Sequence, residues 1–404
     1  MRIQDADVQI LRHYAQSAPI NLVLLKTTEV CNLNCTYCFM FNLRDHAHLK
    51  KPRMMTLETI ELMAHQLLEV ARIQQTAEIS FSFHGGEPTL IGRDWIGKAV
   101  DIITDVVGQA AKCKFGLQTN GVLIDQEWTD LCRTKGISIG LSMDGLRQVQ
   151  DTFRVDHKGR GSYDRVVTGL GYLLKAGEVF TGTLSVIDPN SSGLENYRAL
   201  RALGVERMDF LFPLDHNWDH LPPWGEQTPI ADYLIPIFDE WWEEDNPAIS
   251  IRYFENIIAG ILGRQPGLDA LGGGPVSIVS IDTDGGIEPL DSLKACGDGF
   301  TDLSLNVHKD HLASVYSAPL FRQAIGGQKS LAEVCSVCPL GSICGGGYLP
   351  HRFGRGKGFD NPSVYCRDLW RLISHIAATI ANTNPRSTGS QSKVRTAPCD
   401  LADA

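Results

Sequence analysis

The segment Cys31-Asn-Leu-Asn-Cys35-Thr-Tyr-Cys38-Phe39 decides how the rest of the chain is interpreted. Three cysteines spaced C-x3-C-x2-C in one loop can each ligate one iron of a [4Fe–4S] cluster. A fourth cysteine does not follow nearby, so the fourth iron would remain open to another ligand. A structural zinc site is the alternative, but it needs four ligands, and the nearest further candidates are His46 and His48.

The aromatic residue directly after the third cysteine completes a motif that resembles that of the radical S-adenosylmethionine (SAM) enzymes. In that superfamily the open iron binds the amino and carboxylate groups of methionine in SAM. The resemblance therefore implies SAM as a cofactor and reductive formation of a 5′-deoxyadenosyl radical. It also implies an external one-electron donor of the flavodoxin or ferredoxin type.

The composition favours a cytoplasmic protein with two domains. A chain of 404 residues with 43% hydrophobic residues is long enough for two cores, and a formal charge of -10 argues against a nucleic-acid surface. The sequence shows neither a signal peptide nor an apolar run of membrane-spanning length. In a reducing compartment, eleven cysteines indicate metal centres rather than disulfides. Cys113 and Cys132 are expected to be buried thiols, and Cys399 stands alone.

Short apolar runs alternate with helical patterns along the first half of the chain. Strands are predicted near 21–28, 78–83, 114–121, 137–145, 180–186 and 207–213. Six strands alternating with helices indicate an α/β fold with a parallel sheet, either open and doubly wound or a partial barrel. The cysteine loop directly after the first strand favours the partial (β/α)6 TIM-type barrel that radical SAM enzymes share.

The other segments complete the predicted domain organisation. A glycine-rich boundary at 271–275 precedes a β-hairpin around Asp284 and Gly285, which opens a small C-terminal cysteine-rich domain. The predicted domains are the N-terminal extension 1–18, the barrel 19–213, the helical bridge 214–270, the auxiliary-cluster domain 271–383 and the disordered tail 384–404.

Polar residues at the ends of strands two to four match SAM-binding positions by resemblance. The motif Gly85-Gly86-Glu87-Pro88 would hold the methionine amino group, since glycines allow close backbone approach and a carboxylate accepts from ammonium. Arg154 would clamp the methionine carboxylate with its guanidinium fork. The residues expected to line the ribose and methionine region are Gln118, Asn120, Ser142 and Asp144. Each of these could instead be an ordinary polar residue at a strand end.

Four cysteines near the C-terminus form a second candidate site. The pattern Cys335-x2-Cys338-x5-Cys344, followed by Cys366, resembles the SPASM domain of radical SAM enzymes that modify peptides and proteins. The resemblance implies an auxiliary [4Fe–4S] cluster held by these four residues. A closed four-cysteine zinc site is the alternative.

The second auxiliary cluster of the SPASM pattern is predicted to be missing. Leu290 and Tyr348 stand at positions where the family has cysteine ligands of that cluster. Cys296 is close in sequence to the altered hairpin, but one cysteine cannot hold a cluster. The sequence therefore predicts two [4Fe–4S] clusters in total.

Asp291 directly follows the altered position Leu290. An aspartate in that place is proposed to remove a proton in sulfatase-maturing relatives. Asp291 is therefore the candidate general base or substrate-orienting carboxylate, and a turn-capping aspartate is the alternative. The segment 345–366 resembles a subgroup that acts on ribosomally made peptides. Its basic residues, which could contact an acidic precursor peptide or simply be solvated, are His351, Arg352, Arg355 and Lys357.

Together these features predict a radical SAM peptide maturase. The resemblance implies hydrogen abstraction from a side chain of a ribosomally synthesised precursor peptide and formation of a three-residue cyclophane, in which an aromatic carbon is joined to a β-carbon. Such an oxidation releases one further electron, for which the auxiliary cluster is a natural acceptor. The alternatives are sulfatase-type formylglycine formation, thioether formation or epimerisation of a peptide, and a non-enzymatic zinc or electron-transfer protein.

Overall fold

The computed structural model describes residue 3 and residues 5–383. The strands in this part of the chain are β1 Leu22–Thr28, β2 Glu78–Gly85, β3 Lys112–Thr119, β4 Ile137–Ser142, β5 Phe180–Val186, β6 Arg207–Leu211, β7 Ser250–Ile251, β8 Ile278–Ile281, β9 Gly286–Glu288 and β10 Leu305–Asn306. The α-helices are α1 Asp5–Tyr14, α2 Leu57–Gln74, α3 Arg93–Val107, α4 Gln126–Lys135, α5 Arg147–Phe153, α6 Tyr163–Ala176, α7 Gly193–Ala202, α8 Pro229–Glu244, α9 Arg252–Ile261, α10 Pro319–Ile325, α11 Glu333–Ser336, α12 Gly341–Cys344 and α13 Cys366–Thr383. The predicted disordered tail, 384–404, and Cys399 lie outside the described residues.

The chain divides into two compact units that do not coincide with the predicted domains. Unit 1 contains the residues up to 143 together with 147–184 and 275–325, and unit 2 contains 144–146, 185–274 and the residues from 326 onward. The segment 271–383, predicted as one auxiliary domain, is therefore divided. Its hairpin belongs to unit 1 because β8 pairs in parallel with β1.

Unit 1 is built on a mainly parallel sheet. Strands β1 to β5 lie side by side in sequence order, and each of the four pairs is parallel. At the other edge β8 pairs with β1, and β9 and β10 follow in antiparallel pairs. Helices α2, α3, α4 and α6 connect the successive parallel strands. The predicted α/β class, with six strands alternating with helices and a cysteine-rich C-terminal region, is confirmed.

The apolar alternation of β2 explains how the sheet of unit 1 is packed. Ile79, Phe81 and Phe83 are buried on one face, and both phenylalanine rings stack on Phe115 of β3 at centroid distances of 5.6 and 6.3 Å. Rings stacked across neighbouring strands add to the hydrophobic stabilisation of the sheet. This packing fixes the position of the polar residues that follow each strand.

Unit 2 contains the short parallel pair β6 and β7 and the helices α8, α9 and α13. The backbone amides of Ile230 and Ala231, in the first turn of α8, donate to Oδ1 of Asp368 in α13 at 2.9 and 3.0 Å. The carboxylate thus binds N–H groups that have no partner within their own helix. The two helices predicted within 214–270 are α8 and α9, whereas β7 was not predicted. In the described part of the chain, no helix is both long and apolar enough to cross a membrane.

Candidate active site

The cysteine loop, residues 31–38, leaves the carboxyl end of β1 in unit 1. The segment after α5 fixes the loop, because Asn34 donates its backbone amide to the carbonyl of Val155 at 2.7 Å, and Thr36 donates to Phe153 at 2.9 Å. These bonds hold the loop against the end of α5 and the residues that follow it.

The sulfur atoms of this loop have the surroundings of cluster ligands. The Cys31 sulfur accepts from the Leu33 amide at 3.4 Å and from Nδ2 of Asn120 at 3.6 Å. Such donors favour the thiolate form and tune iron–sulfur sites. Burial raises the pKa of Cys31 to about 12 and also raises the pKa of Cys38, so ionisation needs the charge of a bound metal. Binding of a different iron by each of the three cysteines stays a prediction.

Gly85 and Gly86 bring the end of β2 directly against the cysteine loop. Gly85 has a φ of +128°, and a Cβ atom there would lie 2.5 Å from the carbonyl oxygen of Thr28. A Cβ atom on Gly86 would lie 2.1 Å from the carbonyl oxygen of Val30. Only glycine fits at either position. The structure thus supplies a packing reason for both glycines, and their predicted contact with SAM stays a prediction.

Glu87 is buried and joins the ends of β2 and β3. Its Oε1 atom accepts from the amide of Thr89 at 3.1 Å, from the Thr89 hydroxyl at 2.6 Å and from the Thr119 hydroxyl at 2.7 Å. Its Oε2 atom accepts from the backbone amide of Asn120 at 2.8 Å. The carboxylate therefore orders the strand ends, and its predicted contact with the methionine amino group stays a prediction.

The other polar residues predicted at the strand ends have specific partners. Asn120 donates from Nδ2 to Oδ1 of Asn32 in the cysteine loop at 2.7 Å. Gln118 donates to the hydroxyl of Ser142 at 2.9 Å, which links β3 to β4. Asn120 thus contacts the cluster loop, while Gln118 and Ser142 form a pair beside it in the sheet.

Asp144 belongs to unit 2, where its Oδ1 atom accepts from the backbone amide of Val186 at 3.0 Å. Arg154 belongs to unit 1 and lies buried against the cysteine loop, with its guanidinium 5.4 Å from the ring centroid of Tyr37. A ring nitrogen of His157 also lies 2.8 Å from the carbonyl oxygen of Cys31. Of the predicted SAM residues, Gly85, Gly86, Glu87, Asn120 and Arg154 surround the loop in unit 1.

Asp291 is buried at the start of a 3-10 turn, Asp291–Cys296, and is ion-paired with Lys26 of β1. The Nδ1 atom of His84, at the end of β2, lies 3.0 Å from Lys26 Nζ and 3.8 Å from Asp291 Oδ2. Burial acts to raise the pKa of Asp291, but Lys26 and His84 lower it more, so it lies below its usual value. Burial and Lys26 lower the pKa of His84 to about 4. Asp291 is therefore an anion and His84 a neutral ring near pH 7.

Sequence reasoning missed Lys26 and His84, although both carried a signal. Lys26 is the one charged residue in the apolar run that forms β1, and its side chain is completely buried. Burying a charged side chain costs free energy unless the charge is paired. A lysine in a buried strand therefore indicates an acceptor nearby. His84 directly precedes the Gly85-Gly86 motif.

The β8–β9 hairpin precedes Leu290, which stands where the SPASM pattern has a cluster ligand. Buried ion pairs lie around this hairpin. Lys294, only 2% exposed, lies 2.7 Å from Glu288 and 3.5 Å from Asp45, and Lys51 pairs with Glu288 at 2.8 Å and with Asp282. Burial opposes ionisation of Glu288, but Lys294 and Lys51 lower its pKa to about 2. The β8–β9 hairpin is thus held by paired charges.

The predicted ligand replacements lie in ordinary packing environments. In unit 1, Leu290 is only 3% exposed and Cys296 is also buried. In unit 2, the ring of Tyr348 packs edge-on against His351 at a centroid distance of 5.6 Å. Both replacements therefore have roles in packing.

Four cysteines line one recess in unit 2. Cys335 lies in α11, Cys338 follows it, Cys344 ends α12 and Cys366 begins α13. The recess encloses about 320 Å³ of empty space, part of it open to solvent. Burial raises the pKa of Cys335, and it raises the pKa of Cys344 to about 12. Cys335, Cys338 and Cys344 are thiols.

Glycines shape this recess. A Cβ atom on Gly341 would lie 2.5 Å from the carbonyl oxygen of Cys335. Gly345 has a φ of +65°, and a Cβ atom there would lie 1.8 Å from the backbone nitrogen of Gly273. Gly341 thus lets α12 pack closely against α11, and Gly345 lets the end of α12 pack against the loop that contains Gly273. The donor set, four cysteines that line one recess, is the set that ligates a four-iron cluster.

The proposed peptide-binding role of the basic segment is wrong for two of its four residues. His351 is buried, with Nε2 3.0 Å from the carbonyl oxygen of Pro213, and burial lowers its pKa to about 3. Arg352 is buried and donates to the carbonyl oxygens of Phe359 and Ser330. Both side chains contact backbone carbonyl oxygens within unit 2. The glycine-rich turns around them leave carbonyl groups that need a hydrogen-bond donor. The exposed pair is Arg355 and Lys357.

Comparison with known proteins defines the class. Residues 25–212 match the model of the Radical SAM superfamily. The chain carries a radical SAM domain over these residues and is an enzyme. The domain accounts for the cluster loop and implies a [4Fe–4S] cluster and SAM as cofactors.

The chain is homologous to anaerobic sulfatase-maturating enzymes. It is 29% identical over 375 residues to a cysteine-type enzyme of Clostridium perfringens, which covers 90% of this chain and 98% of the relative. It is 24% identical over 396 residues to a serine-type enzyme of Bacteroides thetaiotaomicron, covering 89% and 90% of the two chains.

Solved structures agree on the fold. The structure of native anSMEcpe with bound AdoMet superimposes with a TM-score of 0.77 at 24% identity, covering 91% of this chain and 100% of that chain. The structure of Streptococcus suis SuiB bound to precursor peptide SuiA gives a TM-score of 0.58 at 17% identity, covering 85% and 74%. At these identities the likeness establishes the radical SAM fold.

Proposed function

We propose that the chain is a maturase that removes a hydrogen atom from a side chain of a ribosomally synthesised precursor peptide and closes a three-residue cyclophane. Two lines support a peptide substrate: the homology to sulfatase-maturating enzymes and the fold shared with SuiB, which was solved with its precursor peptide. The chain would be reduced by a flavodoxin- or ferredoxin-type donor. It would work in the cytoplasm, where such donors and precursor peptides occur.

The observation that carries the crosslink over formylglycine formation is the β8–β9 hairpin. Buried Leu290 and the ion pairs of Lys51 and Lys294 stand where the SPASM pattern has a cluster ligand. The chain would then hold one auxiliary cluster, on Cys335, Cys338, Cys344 and Cys366. This separates it from the complete pattern, which has two auxiliary clusters. One acceptor suffices, because the crosslink releases a single electron after hydrogen abstraction.

In this proposal unit 1 positions the reacting groups. A [4Fe–4S] cluster on Cys31, Cys35 and Cys38, together with SAM, would supply the 5′-deoxyadenosyl radical. The loop is already fixed by Asn120 and by the residues on either side of Arg154, so little reorganisation is needed on binding. Arg154 would bind the methionine carboxylate as a bidentate fork.

The reaction balances with Asp291 as proton acceptor. SAM and its cluster would supply hydrogen abstraction at the β-carbon of the peptide, and this carbon would then bond to the aromatic ring. The auxiliary cluster would accept one electron and the Asp291 carboxylate would take one proton from the ring, which would restore aromaticity. Overall, peptide and SAM give the crosslinked peptide, methionine, 5′-deoxyadenosine and a proton.

Formylglycine formation is the second candidate, and the relatives favour it. Matches to cysteine- and serine-type sulfatase-maturating enzymes extend over about nine-tenths of the chain. That reaction also begins with abstraction of a β-hydrogen, and it would also use an acidic residue near the SAM site. Its product differs, because it contains an aldehyde.

Incubation with the peptide encoded beside the gene, or with a synthetic peptide that has an aromatic residue two positions before a residue with a β-hydrogen, tests the proposal. The reduced enzyme and SAM should give a product lighter by two hydrogen atoms that does not react with a hydrazide. Tandem mass spectrometry should find no cleavage between the joined residues. A hydrazide-reactive product would establish formylglycine formation instead. The triple variant Cys31→Ala/Cys35→Ala/Cys38→Ala is the inactive control.

A further inference from the structure

Lys26 lies in unit 1 with no contact to solvent, yet all three ammonium donors have acceptors. Its Nζ atom is ion-paired with Asp291 Oδ2, and it lies 3.0 Å from His84 Nδ1 and 3.5 Å from Met40 Sδ. It directly follows Leu24 and Leu25 in β1, and an apolar residue at position 26 would continue this run. Burying an ammonium group costs several kcal/mol before pairing. The fold alone therefore does not require a lysine here.

We propose that Lys26 passes a proton from Asp291 to His84, so that these three side chains form the route by which the reaction proton leaves. The geometry carries this inference: Lys26 Nζ contacts both other groups, and His84 Nδ1 is 3.8 Å from the carboxylate, too far for a direct hydrogen bond. The side chain of His84 is 26% exposed and that of Asp291 is 8% exposed. The inference rests on the proposed function, because it needs Asp291 to receive a proton.

The transfer balances in two steps. Asp291 takes the proton from the ring carbon of the crosslinked peptide and becomes a neutral acid. Lys26 then gives a proton to Nδ1 of His84 and takes the proton of Asp291 in return. The imidazolium releases a proton to water, and the route returns to an aspartate anion, a lysine ammonium and a neutral histidine.

The surrounding charges support these starting states. Lys26 from β1, His84 from β2 and Lys294 from the 3-10 turn all act on Asp291, and Lys26 and His84 keep its pKa low. His84 is kept neutral by burial and by Lys26. Glu29, in the loop after β1, also interacts with Lys26 and Lys294. Asp291 thus begins as an acceptor, and His84 begins with a lone pair at Nδ1.

Replacing Lys26 by arginine distinguishes a proton relay from a fixed positive charge beside Asp291. Lys26→Arg keeps a cation beside Asp291, but the guanidinium cannot give up a proton. His84→Gln keeps an acceptor for Lys26 and likewise cannot carry a proton. Lys51→Arg is the matched control, because Lys51 also pairs with buried carboxylates of unit 1 but lies outside the route.

The measurement is product formed per 5′-deoxyadenosine with the peptide that the wild-type enzyme crosslinks. We expect Lys26→Arg and His84→Gln to keep their iron and their peptide-independent SAM cleavage, and to lose about tenfold or more in this ratio. Lys51→Arg should match the wild type. A wild-type ratio in Lys26→Arg or in His84→Gln would overturn the relay. If the wild type itself gives no crosslink, the proposed function fails, and the coupling of Lys26 to His84 is then tested by the second measurement.

A second measurement needs neither cluster nor peptide. NMR of metal-free protein labelled in its histidine rings reports the His84 pKa, which Lys26 helps to lower. In Lys26→Met this pKa should rise toward its usual value, and in Lys51→Met it should not change. An unchanged His84 in Lys26→Met would show that the two side chains are not coupled, and the relay would be wrong.

Discussion

The backbone amide of Asn120 donates a 2.8 Å hydrogen bond to Oε2 of Glu87, which joins the carboxyl ends of β3 and β2. Asn120 also donates from its side chain to Asn32 in the cysteine loop. The Glu87 carboxylate therefore helps to position this loop without contacting Asn32 itself. Glu87 is therefore a structural anchor of the site. Its side chain acts on the cluster loop through Asn120.

Removal of this anchor should be costly. Glu87→Ala leaves the buried groups of Thr89, Thr119 and Asn120 unsatisfied, so the free energy of unfolding should fall by about 3–5 kcal/mol. Glu87→Gln keeps one acceptor oxygen and should lose about 1–3 kcal/mol. Urea unfolding of the metal-free protein measures both. Equal stability of Glu87→Ala and the wild type would contradict the anchoring role.

The cluster count follows from the two sets of cysteines. Anaerobically reconstituted protein should hold about eight irons per chain, in two clusters of four. Replacing Cys31, Cys35 and Cys38 by alanine should leave about four irons and abolish SAM cleavage, since the open iron is lost.

Two further variants make the count decisive. Replacing Cys335, Cys338 and Cys344 by alanine should also leave about four irons but keep peptide-independent SAM cleavage. Cys296→Ala should retain all of the iron, because one buried cysteine cannot hold a cluster. A firm value near twelve irons would show a third cluster and would overturn the interpretation of Leu290.

Asp291→Asn tests the proton acceptor. The variant cannot take a proton, so crosslinked product should fall by about a hundredfold, while peptide-independent SAM cleavage stays near normal. Asp282→Asn is the control, since Asp282 is a buried, lysine-paired carboxylate of the same unit. It should reduce stability but keep the product per deoxyadenosine. If Asp291→Asn forms as much crosslinked product as the wild type, this carboxylate has only a structural role.

Much of unit 1 was predictable because its signals are local. The apolar run before Cys31 predicts β1, and the spacing of the three cysteines predicts the loop that follows it. The motif from Gly85 ends a strand with clear alternation of buried residues. Each signal depends on neighbours within about ten residues, and parallel sheets then bring the strand ends together.

The Lys26–Asp291 pair could not be predicted, because 265 residues separate its members and neither belongs to a periodic pattern. The same applies to His351 and Arg352, which look like a basic surface in sequence but turn inward to bind backbone carbonyls. The hairpin of 275–325 also joins unit 1 through strand pairing with β1, which composition does not reveal. Each of these features depends on contacts between residues that are far apart in sequence.

Acid should destabilise the protein through His351. Burial lowers its pKa from 6.5 to about 3, so below pH 6.5 the unfolded chain binds a proton that the folded chain does not. Stability therefore falls with falling pH, by about 2 kcal/mol between pH 7 and pH 5 for this one group. His351→Gln should show a shallower slope in urea unfolding of the metal-free protein. His84 contributes with the same sign in both proteins. Identical slopes would contradict a neutral buried His351.

The site of hydrogen abstraction can be read from isotope transfer. If a β-carbon faces the SAM 5′ carbon, deuterium at that β-position should appear in 5′-deoxyadenosine, one atom for each product molecule, because one radical forms per turnover. Deuterium on the aromatic ring carbon that forms the bond should instead exchange into water, since Asp291 takes it as a proton. Label transfer from an α-carbon without mass loss would identify an epimerase. Transfer from a cysteine or serine β-carbon with formation of an aldehyde would identify a sulfatase-type maturase, and the cyclophane proposal would be wrong.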